Sequence, residues 1–313
     1  MNRDFIKDVL LGVAVGDAIG VPVEFRSRME LLRRPVTGMM GYGSHNQPPG
    51  TWSDDSSLTF CLAEMLCGKY DLEDLARRFI NWKQHAYWTP HGKVFDIGIA
   101  TAGAIDRLEM GVSPILAGGN EEGSNGNGSL MRILPLVFLI RNEVIDRRFL
   151  IVRDISSLTH RHIRSVLACF IYLEIATEIL SGKEKTEAYR QACVTVRTFL
   201  DETATCTERE RANFARILSG NLYQEAEEDI SSSGYVIHTL EAAIWCLLNT
   251  FNYEDAVLKA ANLGQDSDTT AAVAGGLAGL LYGWQTIPEE WLTVLARRTE
   301  IEELSRKLNI KFK

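Results

Sequence analysis

The chain has 313 residues, of which 46% are hydrophobic and 24% are charged, a balance typical of a globular protein with a large core. With 33 basic and 41 acidic residues, the formal net charge is −8, and no long basic run offsets it. These values exclude a collagen, a coiled coil and a largely disordered chain, and they argue against a nucleic-acid-binding groove. An acidic protein would also repel a phosphate-rich substrate unless some local feature is positive.

The cysteines and the N-terminal residues bear on the compartment. The six cysteines form no Cys-x-x-Cys pair, and most lie in apolar helical contexts, as reduced thiols of a cytoplasmic protein do. Asp4, Asp8 and Asp17 accompany the first apolar stretch, so we expect no signal peptide. The most apolar segment, 271–282, is too short and too rich in glycine to span a membrane. We therefore expect a cytoplasmic protein without membrane contact.

Helical periodicity dominates the predicted elements. Apolar residues recur at helical spacing in the segments 5–13, 58–66, 166–176 and 240–247. Glycine-rich breaks at 38–49, 117–128 and 231–234 separate the helical stretches, and alternating strand patterns are hard to find. The sequence thus predicts an all-α fold of about ten or more helices, without a linker between two domains.

Two sets of glycines recur at four-residue spacing near the two ends of the chain. On a helix, the members of each set share one face. Such faces favour close helix–helix packing, so we predict helices that cross tightly around a compact centre. The glycines are Gly12, Gly16, Gly20, Gly275, Gly279 and Gly283.

Two segments, 51–56 and 264–270, place acids and hydroxyls at the starts of apolar helices. A helix cap needs one side chain, so the surplus carboxylates would repel each other unless a cation lies between them. Oxygen ligands without nearby His or Cys favour Mg²⁺, Mn²⁺ or Ca²⁺ over zinc. Asp54 and Asp266 are 212 residues apart, and a shared metal centre would require one large domain.

A third segment, 124–132, reads Ser-Asn-Gly-Asn-Gly-Ser-Leu-Met-Arg and precedes an apolar stretch predicted to be a helix. Its small residues would let backbone N–H groups approach a phosphate at a helix N-terminus. Arg132 could add the positive charge that the composition lacks. The simpler alternative is an ordinary turn. Tyr235, in a weaker segment at 233–236, could stack on a nucleobase or simply pack.

Taken in order, these segments resemble the ADP-ribosylglycohydrolase family from residue 11 to about residue 283. The order of the motifs makes the resemblance specific, and the Asp-x-Asp-Thr segment is the strongest of them. The motifs are Gly12-Val-Ala-Val-Gly-Asp-Ala-Ile-Gly-Val-Pro-Val-Glu24-Phe25, Trp52-Ser-Asp-Asp-Ser56, Phe95-Asp-Ile-Gly98, Gly126-Asn-Gly-Ser-Leu-Met-Arg132, Thr159-His160, Gly234-Tyr-Val and Gly264-Gln-Asp-Ser-Asp-Thr-Thr-Ala271.

The resemblance implies a compact, single-domain orthogonal helical bundle over residues 1–313, with a central cleft that holds two Mg²⁺ or Mn²⁺ ions. The implied metal ligands are Ser53, Asp54, Asp55, Asp266, Asp268 and Thr269. The candidate catalytic residues are Asp55, Glu24 and Asp96. The implied substrate-binding residues are Asn125, Gly126, Asn127, Gly128, Ser129, Met131, His160, Gly234 and Tyr235.

The implied activity is hydrolysis of the ribosyl glycosidic bond in an ADP-ribosylated protein side chain or a small ADP-ribose conjugate. Asp96 matches an acid that the arginine-specific branch uses close to the arginine, whereas Ile99 stands where many relatives carry Asn. One alternative is a non-catalytic ADP-ribose-binding or structural protein, like the lens crystallin that resembles this family. Another is a magnesium-dependent hydrolase of other nucleotide-like ligands. The acceptor, the preferred metal and the oligomeric state, monomer included, stay open.

Overall fold

The protein, represented here by a computed structural model that describes residues 3–312, consists of helices joined by loops and short 3₁₀ turns. Within that range no β-strand forms, and only isolated bridges pair extended residues, which confirms the all-α prediction. The helices are α1 Phe5–Gly20, α2 Arg28–Arg33, α3 Asp54–Cys67, α4 Leu72–His85, α5 Ile99–Glu109, α6 Pro114–Ala117, α7 Val137–Ile140, α8 Ile145–Ser157, α9 Ile163–Leu180, α10 Lys185–Glu202, α11 Glu208–Ala212, α12 Val236–Leu248, α13 Tyr253–Asn262, α14 Ser267–Tyr282, α15 Glu289–Val294 and α16 Arg298–Phe312.

The centre of the fold is the pair α1 and α14, which glycines allow to approach closely. A Cβ atom on Gly12 would lie 2.5 Å from the carbonyl oxygen of Gly275, and one on Gly16 would lie 2.2 Å from that of Ala271. A Cβ on Gly20 would reach the Cα of Asp268 at 2.2 Å. These separations are far below van der Waals contact, so any side chain would push the helices apart. The predicted tight crossing is confirmed.

The remaining helices surround this pair. Helices α3, α9, α12, α13 and α16 pack against α1, α14 or both. One continuous apolar core runs from Ile6 to Leu308, so the described residues form a single compact domain. None of the helices in residues 3–312 has both the length and the apolar character of a membrane span.

The structure corrects one predicted helix. Residues 128–132 form turns, and the 3₁₀ turn Leu134–Leu136 and the four-residue helix α7 follow them. Pro135 lies inside this stretch, and a proline within a helix removes a backbone hydrogen bond and clashes with the preceding turn. The small-residue loop therefore does not end at the N-terminus of a long helix.

Candidate active site

The two acidic clusters meet where the close α1–α14 contact places the start of α14 beside the end of α1. Asp54 and Asp55 begin α3, and Asp266 and Asp268 lie at the start of α14. Asp54, Asp55 and Asp268 are buried, and Asp266 is half-buried. We call this set of side chains, together with the Asp17 carboxylate described next, the floor of the site.

Asp17 of α1 joins the floor, although the sequence had not singled it out as a site residue. Its carboxylate is fully buried and accepts hydrogen bonds from the Ser53 N–H at 2.9 Å, the Ser56 N–H at 3.0 Å and the Ser56 hydroxyl at 2.6 Å. These bonds hold the start of α3 against α1. The available signal was the one acid within the apolar stretch 9–23, since such a residue is rarely buried without a partner.

Burial and mutual repulsion dominate the electrostatics of the floor. Burial raises the pKa of Asp17 to about 7. Burial, with Asp96 and Asp17 nearby, holds the pKa of Asp54 well above its usual value, and the pKa of Asp55 is raised in the same way. Burial and the neighbouring Glu24 do the same to the pKa of Asp268. These carboxylates therefore cannot all be ionised together without a compensating cation.

Two floor oxygens show where such a cation would fit. Oδ2 of Asp55 and Oδ1 of Asp268 are buried and have no hydrogen-bond partner within residues 3–312. A buried polar atom without a partner costs free energy, so an orphaned pair of carboxylate oxygens is a reason to expect an ion there. Hard oxygen donors of this kind suit Mg²⁺, Mn²⁺ or Ca²⁺.

Three groups of side chains bring potential ligand atoms within 4.8 Å of one another. Asp268 belongs to two of these groups, one with Asp17 and Asp55 and one with Asp266 and Glu24. The third group combines Glu24 and Asp96 with His45. We call these three residues, with the neighbouring Phe25 and Ile99, the rim of the site.

The remaining predicted ligands lie beside these groups. The Ser53 hydroxyl accepts the Asp55 N–H at 3.2 Å, and the Thr269 hydroxyl donates to Oδ1 of Asp55 at 3.4 Å. Asp54 and Thr269 also line the cleft. The assignment of these side chains as metal ligands stays a prediction.

Glu24 stands at the rim of the cleft, at the end of the 3₁₀ turn Val21–Val23 that follows α1. The residue is 5% exposed, and its carboxylate forms a hydrogen bond with Nε2 of His45. The His45 ring lies between the rings of Phe25 and Phe95, with centroid separations of 5.7 and 5.4 Å. Burial and the nearby Asp96 raise the pKa of Glu24 to about 10.

Glu24 is held above the floor by two loops that hydrogen-bond to each other and contain residues with positive φ angles. Phe25, Asp96 and Gln265 have φ values of 65°, 52° and 59°. The Phe25 N–H donates to the Gln265 carbonyl at 2.6 Å, and the Gln265 N–H donates to the Arg26 carbonyl at 2.7 Å. Left-handed non-glycine residues cost on the order of 1–3 kcal/mol each and tend to cluster at functional sites. This strained backbone allows the loop after α1 to contact the loop before α14.

The cleft above the floor has a volume of about 290 Å³ and gathers most of the predicted substrate-binding residues. Asn127 couples its loop to the floor, since its Nδ2 donates to Oδ2 of Asp266 at 2.7 Å. His160 is buried, and this burial lowers its pKa to about 3, so its imidazole is neutral. The predicted residues that line the cleft are Gly126, Asn127, Gly128, Met131, His160 and Gly234, together with Glu24, Asp54, Asp55, Asp96, Asp266 and Thr269.

Comparison with known proteins identifies the family. The sequence model of the family described as ADP-ribosylglycohydrolase matches residues 2–313. The chain belongs to the ADP-ribosylglycohydrolase family. This result confirms the resemblance found in the motifs, and it supports hydrolysis of an ADP-ribose conjugate as the general reaction.

The relatives of this chain are similar to it over nearly its whole length. An ADP-ribosylarginine hydrolase Tri1 of Serratia proteamaculans is 34% identical, over 98% of this chain and 79% of the relative. An ADP-ribosyl-[dinitrogen reductase] glycohydrolase of Rhodospirillum rubrum is 27% identical, over 96% of this chain and 93% of the relative. A solved "ADP-ribosylglycohydrolase-related protein complex" aligns with a TM-score of 0.81 and 31% identity, over 99% of this chain and 98% of that one.

Three predicted substrate-binding side chains lie outside the cleft lining. Asn125 accepts the Ser165 hydroxyl at 3.2 Å, and Ser129 is fully buried. The Tyr235 ring lies 5.8 Å from the Arg164 guanidinium carbon. These contacts brace the small-residue loop from behind, whereas the backbone of the loop and the Asn127 side chain face the cleft.

The structure contradicts the suggested role of Arg132. Its side chain is fully buried and donates to the carbonyls of Gly128 at 2.5 Å and Ile155 at 3.1 Å. The guanidinium also lies 5.0 Å from the centroid of the Phe79 ring. Because Arg132 supports the loop from the core side, it does not present its charge to a phosphate in the cleft.

Proposed function

We propose that this protein is a divalent-metal-dependent ADP-ribosyl hydrolase that cleaves the bond between ribose and its acceptor and releases ADP-ribose. The observation that carries the proposal is the convergence of buried carboxylates, with orphaned oxygens on Asp55 and Asp268, at the bottom of a cleft. In a purely structural role the repulsion between these carboxylates would only lower the stability, because neutral side chains would pack there at a lower cost in free energy.

Asp55, Asp266 and Asp268, with Asp17, Asp54, Ser53 and Thr269 beside them, would hold two Mg²⁺ or Mn²⁺ ions. Bound divalent ions would orient the ribose hydroxyls and lower the pKa of a water molecule. The chain's own contribution is a rigid oxygen cage, since the bonds from Ser53 and Ser56 to Asp17 fix the start of α3.

The rim residues would act on the reacting bond itself. Cleavage of a ribosyl bond passes through a transition state with positive charge on the sugar, which nearby carboxylates stabilise. Asp55, Glu24 and Asp96 remain the candidates for the base. Glu24 is our first choice because His45 holds its carboxylate at the rim, and a divalent ion beside it would favour the ionised form that a base requires.

We propose ADP-ribosylated arginine as the first acceptor to test. Relatives at 34% and 35% identity carry the name ADP-ribosylarginine hydrolase. Asp96 lines the cleft near Glu24, and a carboxylate can bind a guanidinium through two parallel hydrogen bonds. Ile99, which is 94% exposed, lies at the mouth of the cleft, where it would be near the acceptor.

The deciding experiment is release of ADP-ribose from a panel of conjugates of arginine, serine, thymidine and small molecules. We expect turnover with Mg²⁺ or Mn²⁺, none with EDTA, and the highest rate on the arginine conjugate. Calorimetry with ADP-ribose runs beside the assay. Binding of ADP-ribose without turnover of any conjugate would favour the non-catalytic alternative and overturn the proposal.

A further inference from the structure

A second hollow of about 410 Å³ adjoins the cleft. Ile99 and Ala100, at the start of α5, line both cavities and form the wall between them. The cleft alone lies at the lower limit of the volumes of ordinary ligand pockets, whereas an ADP-ribosyl group carries two sugars, two phosphates and a base. With the reacting ribose at the floor, part of the group must leave the cleft, and the hollow is the adjoining space.

Two arginines, one on α5 and one in the loop between α8 and α9, line this hollow. Arg107 donates from Nε to the Ala117 carbonyl at 2.6 Å, and Arg161 donates from Nε to the Gly118 carbonyl at 3.4 Å. The two anchoring carbonyls belong to adjacent residues, so both guanidinium groups are held along one short stretch of backbone. Both arginines line the hollow, and their terminal nitrogens have no hydrogen-bond partner within residues 3–312.

The charge of this pair is not balanced by the protein. Neither arginine forms an ion pair with any carboxylate of the described chain, although the chain is acidic overall and other buried or half-buried arginines, such as Arg148 and Arg164, do so. Glu121 also lines the hollow but lies beyond ion-pair distance of both. Two neighbouring cations without a counter-ion repel each other, and an anion between them would relieve the repulsion.

The start of α5 adds positive potential from the other side. This 11-residue helix begins after Gly98, and no side chain caps it. The N–H groups of its first turn are therefore free, and the helix dipole places partial positive charge at the wall between the two cavities. The hollow thus combines two guanidinium groups and a helix N-terminus, in contrast to the acidic floor.

We infer that this hollow binds the adenosine-side phosphate of the ADP-ribosyl group, and that Arg107 and Arg161 are its phosphate-binding residues. The inference rests on the proposed function, because the reacting ribose has to lie at the floor. Guanidinium groups form paired hydrogen bonds with phosphate oxygens, which suits a phosphate repelled by the carboxylates of the floor. The arginines then supply the local positive charge that Arg132 does not.

The test compares R107Q, R161Q and the double variant with R197Q as a matched control. Arg197 is also half-buried, binds a backbone carbonyl, that of Leu218, at 2.8 Å and forms no ion pair within residues 3–312. For the double variant we expect KM for the conjugate and Ki for AMP to rise about tenfold or more. The values of kcat and of Ki for ribose 5-phosphate should stay within about twofold, since neither depends on the outer phosphate.

Several outcomes would overturn the inference. One is an unchanged Ki for AMP, and another is an equal loss for AMP and ribose 5-phosphate. Inorganic phosphate that competes as well as AMP would assign the hollow to free phosphate instead. If the double variant does not fold, the R107K and R161K variants keep the charge without the planar fork and should give intermediate KM values. If the wild type turns over no conjugate, the proposed function fails, while calorimetry with AMP still tests the hollow.

Discussion

The floor and the rim of the cleft are built in different ways. The side chains of the floor lie at the ends of helices. Close contacts at glycines and the hydrogen bonds to Asp17 hold these helix ends in one position, and most of the side chains are buried. The rim consists of loops with left-handed residues and exposed apolar side chains, Phe25 at 71% and Ile99 at 94% exposure. The contrast suggests that the core fixes the floor, whereas the exposed side chains of the rim can change without disturbing the core.

The largest effect should come from removing one floor charge in D268N. We expect ADP-ribose release to fall on the order of 100- to 1,000-fold, since Asp268 belongs to two of the three possible ligand groups. The free energy of unfolding without divalent ions should rise, because the substitution relieves repulsion in the floor. Release assays and urea unfolding measure the two quantities, and D146N on the exposed side of α8 is the control. Wild-type turnover in D268N would show that Asp268 is not required for the reaction.

A substitution beneath the floor should affect stability most strongly. In G16A the new Cβ would lie 2.2 Å from the Ala271 carbonyl oxygen, so α1 and α14 must separate. We expect a loss of about 3 kcal/mol or more in the free energy of unfolding, measured by urea titration with helical CD. In G103A on α5 the new Cβ meets only the flexible end of Arg107 at 3.6 Å, and it should be neutral or stabilising. Equal stability of both variants would contradict the close contact.

Removal of divalent ions should make the stability depend on pH. Burial raises the pKa of Asp17 to about 7, above its ordinary value, so folding favours its protonated form. The stabilising contribution is fully present below the ordinary pKa of Asp, near 4, and is lost as the pH rises towards 7. We expect the urea midpoint in EDTA to fall across this window, and Mg²⁺ to remove much of the fall. A midpoint indifferent to Mg²⁺ at pH 8 would count against a floor that binds cations.

At the rim, His45 should matter through Glu24. Without its imidazole, the Glu24 carboxylate loses the hydrogen bond that holds it in place. For H45A we expect kcat to fall about tenfold with KM little changed, and for H45Q we expect partial recovery, since the amide can donate the same bond. H85A, at the exposed end of α4, is the control. A fall in H45Q as large as that in H45A would assign His45 a role other than positioning.

The smallest effect should come from the outermost rim residue. I99N should leave the free energy of unfolding within about 0.5 kcal/mol of the wild type, because Ile99 is 94% exposed. We expect kcat/KM for the arginine conjugate to rise about threefold relative to the serine conjugate, as one new hydrogen bond would allow. M110N, at the other end of α5 and 81% exposed, should leave that ratio unchanged. A change in both variants would indicate a nonspecific surface effect.

Local patterns in the sequence predicted the parts of the protein that depend on neighbouring residues. Apolar spacing predicted the all-α class, and the glycine spacing predicted the α1–α14 contact. The same reasoning failed after the loop 124–132, where Pro135 interrupts the predicted helix. It also failed for Arg132, whose burial depends on carbonyls and on a ring that lie elsewhere in the chain.

The sequence by itself determined the family, the helical fold and the supply of hard oxygen donors, because these follow from motifs and spacing along the chain. Only the tertiary structure decided that Asp17 supports the floor, that His45 holds Glu24, and that Arg107 and Arg161 share a hollow. Each of these roles depends on a partner that folding brings close from a distant segment or on burial, and residue types alone carry no record of either. For the same reason the net charge of −8 did not reveal that acidic and basic groups separate into adjoining cavities.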